Sequence, residues 1–284
     1  MSLRPLLLIG MLAASVVAAT ASCSTGQSTA RSTPVDMGHV HELVVDDGRL
    51  YAATHAGLFE IGPGRASAVG DAAHDLMALA VGADGTLLAS GHPDLRVEDL
   101  VVDGRPPLLG LAESNDKGTT WTSVSLLGEA DFHSLTLASY GILGVDGASG
   151  SLLVSSDGVA WQQRGTIDGV DLAVDPDNDE RLVAVTYEGA VVASNDGGWS
   201  WEPLDAPLAT SIEWPESGPL TLGGEDGVIH TTDQVGDGWT SAGDLGEEIE
   251  SLLAADGTLF AATEGGKIST SVDGGTTWVR LGGP

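Results

Sequence analysis

Ser114-Asn115-Asp116-Lys117-Gly118-Thr119-Thr120-Trp121 returns along the chain as Ser194-Asn195-Asp196-Gly197-Gly198-Trp199-Ser200-Trp201 and Ser271-Val272-Asp273-Gly274-Gly275-Thr276-Thr277-Trp278. Two altered copies fill the gaps. Ser155-Ser156-Asp157-Gly158-Val159-Ala160-Trp161 is one residue short, and the copy from Thr231-Thr232-Asp233 to Trp239 is one residue long. The closing tryptophans stand 40, 40, 38 and 39 residues apart. Self-similarity at that period is the signature of stacked supersecondary units, each burying its apolar face on the next.

The intervals between tryptophans share one grammar. An apolar run such as Leu43-Val44-Val45 or Leu172-Ala173-Val174 leads to a Gly/Asp turn such as Asp46-Asp47-Gly48 or Asp256-Gly257. A second apolar run follows (Leu50 to Ala53, Leu259 to Ala262), then a loop with Gly and a third strand ending in the Ser-x-Asp turn. The tryptophan opens a fourth strand. Four short strands per unit of this length predict an all-β chain folded as a β-propeller. First strands beginning near His39, His74, Asp131, Asp168, Thr210 and Glu248 make six blades. Blade one has Gly62-Pro63-Gly64 where the Asp turn would be, and blade two carries an insertion from about Gly91 to Leu108. A seventh blade follows only if that insertion forms one.

The repeated turn resembles the Asp box, or BNR repeat, of sialidases, sortilin-type receptors and photosystem II stability factors. Its chemistry is local: Ser and Asp oxygens accept hydrogen bonds from the hairpin's own N–H groups, and Trp buries a large surface. One Asp per turn offers too few oxygens for calcium. The box is therefore read as structural, identifying a fold and leaving function open.

The first residues read as an address. Arg4 precedes an apolar run from Leu6 to Ala19, too short for a membrane span and laid out like an export signal. Ala21-Ser22-Cys23 resembles a bacterial lipoprotein processing site, which implies lipid on Cys23 and anchoring to the outer face of the cell membrane. Residues 1–23 are thus read as a signal peptide ending in the lipoprotein-type cysteine, 24–37 as a flexible tether and 38–284 as the propeller. Cys23 is the only cysteine, so no disulfide is expected in the propeller. The formal charge of −30, with only two lysines, excludes nucleic acid and anionic lipid surfaces as partners and fits a soluble, extracytoplasmic monomer.

Strand direction then sorts the polar residues. In an up-and-down blade, the first strand starts and the second ends on the same face around the central channel, with the Asp turns on the opposite face. His39, His41, His55, His74, His92 and His133 all fall on that first face, and His230 does not. Aligning the blades makes His41 equivalent to Met77, His133 and Glu250, and His39 equivalent to Asp75, Asp131, Asp168 and Glu248. His55 becomes His92, Tyr187 and Glu264. One mouth of the channel is therefore expected to gather His39, His41, His55, Met77, His92 and His133 as ligands. Imidazole, thioether and carboxylate together suit a transition metal, with copper the most specific expectation.

The words His39-Val40-His41, Thr54-His55 before Gly57-Leu58-Phe59, His74-Asp75-Leu76-Met77, Ser90-Gly91-His92-Pro93 and Asp131-Phe132-His133 resemble a group of small bacterial Asp-box lipoproteins labelled glycosyl hydrolases or exo-sialidase-like. That resemblance implies a second function class, glycoside hydrolysis by a carboxylate pair, for which Asp75, Asp131, Glu250 and Glu264 are the candidates. Sialidases also need three arginines at the mouth, and only Arg96 and Arg105 lie in a segment able to reach it. A third class is a non-catalytic scaffold binding a protein or glycan on the channel face, with the insertion as a contact surface.

Overall fold

The computed structural model describes residues 37–283. The export signal, Cys23 and all of the tether except Met37 lie outside these residues. Within them the chain is all-β: six four-stranded antiparallel sheets, each built from four consecutive strands, form a six-bladed propeller. The blades span residues 40–68, 75–125, 132–166, 169–203, 211–244 and 249–282. The insertion in blade two holds one 3-10 turn, Glu98–Leu100, and no further sheet. It packs Leu100 and Leu109 into the core between blades one and two, which explains why it stays ordered without strands.

The core is divided among the blade interfaces. Six apolar clusters lie between neighbouring blades, and the cluster joining blade six to blade one contains Met37, Val40, Leu43, Ala262 and Ile268. Met37, assigned by sequence to the tether, is fully buried there, so the propeller begins one residue earlier than the composition suggests. No strand is shared between the last blade and the first. The ring closes by side-chain packing and by single bonds such as Gly64 N–H to the Leu281 carbonyl at 2.7 Å.

Each tryptophan of the ruler is half-buried against the core between its own blade and the one before it. The turns preceding them are held as their composition predicts. Ser114 Oγ accepts Gly118 N–H at 2.8 Å, and Asp116 accepts the Thr120 N–H at 2.8 Å and the Thr120 hydroxyl at 2.7 Å. The same bonds recur about Ser194 and Asp196 and about Ser271 and Asp273. Gly118 and Gly198 are required twice over. Both have positive φ, and a Cβ at either would lie within 2.2 Å of a leucine methyl (Leu58 or Leu152) on the preceding blade. The fifth blade departs from this pattern: Thr232 Oγ1 binds the Gln234 backbone, and Asp233 makes none of the bonds that Asp116 makes.

Candidate metal centre

The mouth is built by a repeated irregularity. In five of the six first strands the register slips by one residue near the strand start. The residues left over are His41, Met77, His133, Val170 and Glu250. A β-bulge leaves its extra residue unpaired and re-aims its side chain. All five bulged residues line one cavity of about 520 Å³, and the equivalence of His41, Met77, His133 and Glu250 expected from sequence is thereby realised. No arginine or lysine lines this cavity. Arg96 is bound to Asp94 and the Asp71 carbonyl, and Arg105 to Glu129, away from it.

The end of each second strand meets the start of the next blade's first strand, and there the histidines find carboxylates. His55 Nδ1 lies 2.7 Å from Asp75 Oδ1 and 3.2 Å from His41 Nε2, and His41 Nε2 lies 3.9 Å from the same Asp75 oxygen. These three ligand atoms, from blades one and two, are mutually within 4.8 Å. Tetrahedral coordination with bonds of about 2.0–2.1 Å places ligand atoms about 3.3 Å apart, and the three separations bracket that figure. The group can hold a metal ion with an open position left for a further ligand.

The rim continues on both sides. Glu250, with its side chain 5% exposed, accepts the Val40 N–H at 2.9 Å and pairs with His39 Nδ1 at 2.9 Å. That hydrogen bond holds the His39 pKa above its ordinary value, against the opposing effect of burial. His41 is pushed the other way, down to about 3, by burial first and then by the neighbouring His39, His55 and His133. A neutral imidazole is the form that coordinates metal. On the far side, His92 stands between Asp75 and Asp131, and His133 reaches Asp131 at 3.1 Å and the Tyr187 hydroxyl at 2.7 Å.

Met77 lines the same cavity as His41 and His133. Glu264 is exposed on its loop, and no hydrogen bond or ion pair among the described residues joins its carboxylate to the cluster. His74, placed by sequence on this face, turns inward: it is 2% exposed and its Nδ1 accepts the Asp94 N–H, anchoring the insertion.

Sequence reasoning missed what lies deeper. Glu42, Asp171 and Glu213, from the first strands of blades one, four and five, approach one another inside the channel. Burial raises the pKa of all three, that of Glu213 to about 8, with Glu42 and Glu213 further raised by Asp171. The available signal was a carboxylate interrupting each apolar first strand, as in Val40-His41-Glu42-Leu43-Val44.

No family model matches the chain, and no curated protein matches it. Solved structures do. Gluconolactonase from Xanthomonas campestris is 15% identical, with 87% of each chain covered and a TM-score of 0.63. A catalytically inactive variant of virginiamycin B lyase from Staphylococcus aureus, solved with quinupristin, is 12% identical, covering 88% of this chain and 87% of that one at a TM-score of 0.57. YCF48 bound to D1 peptide is 19% identical, covering 76% of this chain and 71% of that one at 0.50. At these identities the likeness is one of fold alone, that of a β-propeller.

Proposed function

We propose that the protein binds a transition-metal cation at its channel mouth, with His41, His55 and Asp75 as ligands. The observation that carries this reading is the mutual approach of three ligand atoms from two blades. Two imidazoles and a carboxylate suit Cu²⁺ and Zn²⁺, and at a given site of this type Cu²⁺ binds more tightly. Met77 on the same cavity wall adds a soft donor that favours copper, so copper is the specific assignment. Calorimetric titration of the purified protein with Cu²⁺ and with Zn²⁺ tests it. Stoichiometric binding that weakens at least tenfold in His55→Ala supports the centre; binding indifferent to His41→Ala and His55→Ala removes it.

Glycoside hydrolysis is the weaker reading. Asp75 and Asp131 are engaged by imidazoles, Glu250 by His39 and the Val40 amide, and the cavity offers no cation to an acidic sugar. Sugar release from a glycan panel, lost in Asp131→Asn without loss of metal, would reverse that order. A scaffold role predicts instead a protein ligand lost on deleting residues 91–108. We also propose export and lipid attachment at Cys23, supported by the sequence around it; labelled palmitate that still enters Cys23→Ser would exclude this.

A further inference from the structure

We infer that the side of the cavity formed by blades four to six takes a small organic cation, a primary ammonium carried on an apolar body. This goes beyond the metal-binding reading and stands apart from it. His55 and Asp75 do not line the cavity, and no residue on its blade-four-to-six side belongs to the metal group.

This wall is preformed. Gly189 N–H donates to the Thr186 carbonyl at 2.8 Å and Ala209 N–H to the Gly189 carbonyl at 2.9 Å, which ties the loop after the second strand of blade four to the entry of blade five. Thr210 N–H donates to the Gly223 carbonyl at 2.7 Å and Ile249 N–H to the Gly224 carbonyl at 3.2 Å, carrying the tie into blade six. The Tyr187 hydroxyl is bonded to His133 Nδ1 at 2.7 Å, which fixes the ring. Little remains to be ordered when a ligand enters. On this frame Leu208 is left 69% exposed and Tyr187 49% exposed, two large side chains uncovered on the same cavity. Its volume of about 520 Å³ is that of a site enclosing a small molecule.

Charge complementarity names the occupant. Two of the carboxylates lining the cavity are already matched within the protein. Asp171 accepts the Leu172 and Ile212 amides and the Ser211 hydroxyl, and Glu250 accepts the Val40 amide and pairs with His39. Glu188, Glu225 and Glu248 are left over, one each from blades four, five and six. All three are exposed, and among the described residues no hydrogen bond or ion pair engages their carboxylates. An anion would meet three unmatched like charges, and a neutral molecule would leave them unmatched. A cation with an apolar body satisfies both halves of the wall: the body covers Leu208, while the ammonium sits among the carboxylates and against the Tyr187 ring face.

The test uses the purified protein stripped of metal by dialysis against EDTA, so that an amine cannot bind through a metal ion. Calorimetric titration compares phenylbutylammonium with its neutral and anionic counterparts, phenylbutanol and phenylbutyrate. The ammonium should bind about tenfold more tightly than the alcohol, and the carboxylate more weakly than either. Replacing Glu188, Glu225 and Glu248 together by Gln should bring the ammonium to within about threefold of the alcohol. Leu208→Ser should weaken both by about threefold, which a purely electrostatic effect of the charged chain would not do. Both variants alter exposed side chains, and circular dichroism confirms their fold. Equal binding of ammonium and alcohol, ammonium binding that survives the triple Gln variant, or no binding of the ammonium each overturns the inference. The metal centre stands or falls separately, on Cu²⁺ titration of the same preparations without the amine.

Discussion

Replacing Glu213 by Gln should make the protein more stable at pH 8 and leave it unchanged at pH 4. Glu213 lies in the channel near Glu42 and Asp171, and its pKa is raised from 4.5 to about 8, by burial above all and then by Asp171. Between those two values the folded protein holds a proton that the unfolded chain has released. Stability must therefore fall as pH rises through this window, at up to about 1.4 kcal/mol per pH unit for one proton. Over the whole window the loss reaches on the order of 4–5 kcal/mol. The Gln side chain keeps a carbonyl oxygen for the Ala254 N–H that Glu213 binds, and it has no charge to desolvate. Glu42 and Asp171 stay in both proteins, so to first order their own titrations cancel in the difference. Urea unfolding of wild type and Glu213→Gln at pH 4, 6 and 8 measures it. The stability gap should open from near zero to several kcal/mol in favour of the variant. A gap that stays constant across the series, or one favouring wild type at pH 8, would refute the reasoning.

Three further outcomes are expected. Asp116→Ala should cost about 1–3 kcal/mol in denaturant unfolding, because Asp116 holds both the amide and the hydroxyl of Thr120, whereas Asp233→Ala should cost almost nothing. Trp161→Phe should lose about 1 kcal/mol more than Trp201→Phe: the Trp161 indole N–H donates to Ser125 Oγ at 2.9 Å, while that of Trp201 is buried without a partner. Glu250→Gln should lower the pH at which His39 titrates, as followed by NMR of its ring protons, since the Glu250 carboxylate is the main group raising it. The His39 contribution to stability is present below pH 6.5 and fades as pH rises through the raised folded value, so wild type should hold its advantage over this variant in mild acid and lose that part of it as the pH is raised.

The blade count and the rim were legible in the sequence because both depend on spacing along the chain. Five tryptophans at near-constant intervals fix where five of the six blades end, and equivalence between blades then carries His41 onto Met77, His133 and Glu250 without knowledge of a single distance. The pairing of His55 with Asp75 was less accessible, since it depends on how far each blade is rotated past its neighbour. Glu42, Asp171 and Glu213 were invisible for a related reason: Glu42 belongs to blade one and the other two to blades four and five, and only closure of the ring brings Glu42 to them. His74 failed differently. Its position in the strand is that of a rim residue, but the inserted loop after His92 supplies an amide that draws the imidazole inward.

The slip in register at the head of the first strands has an evolutionary consequence. Because the bulged residue is taken out of the ladder, its identity matters little to the pairing of the first strand with the second. Four kinds of side chain occupy that place in five blades of one molecule: two imidazoles, a thioether, an isopropyl group and a carboxylate. Ligand preference can therefore be rewritten one codon at a time at His41, Met77 and His133, with the strand pairing inside each sheet left intact.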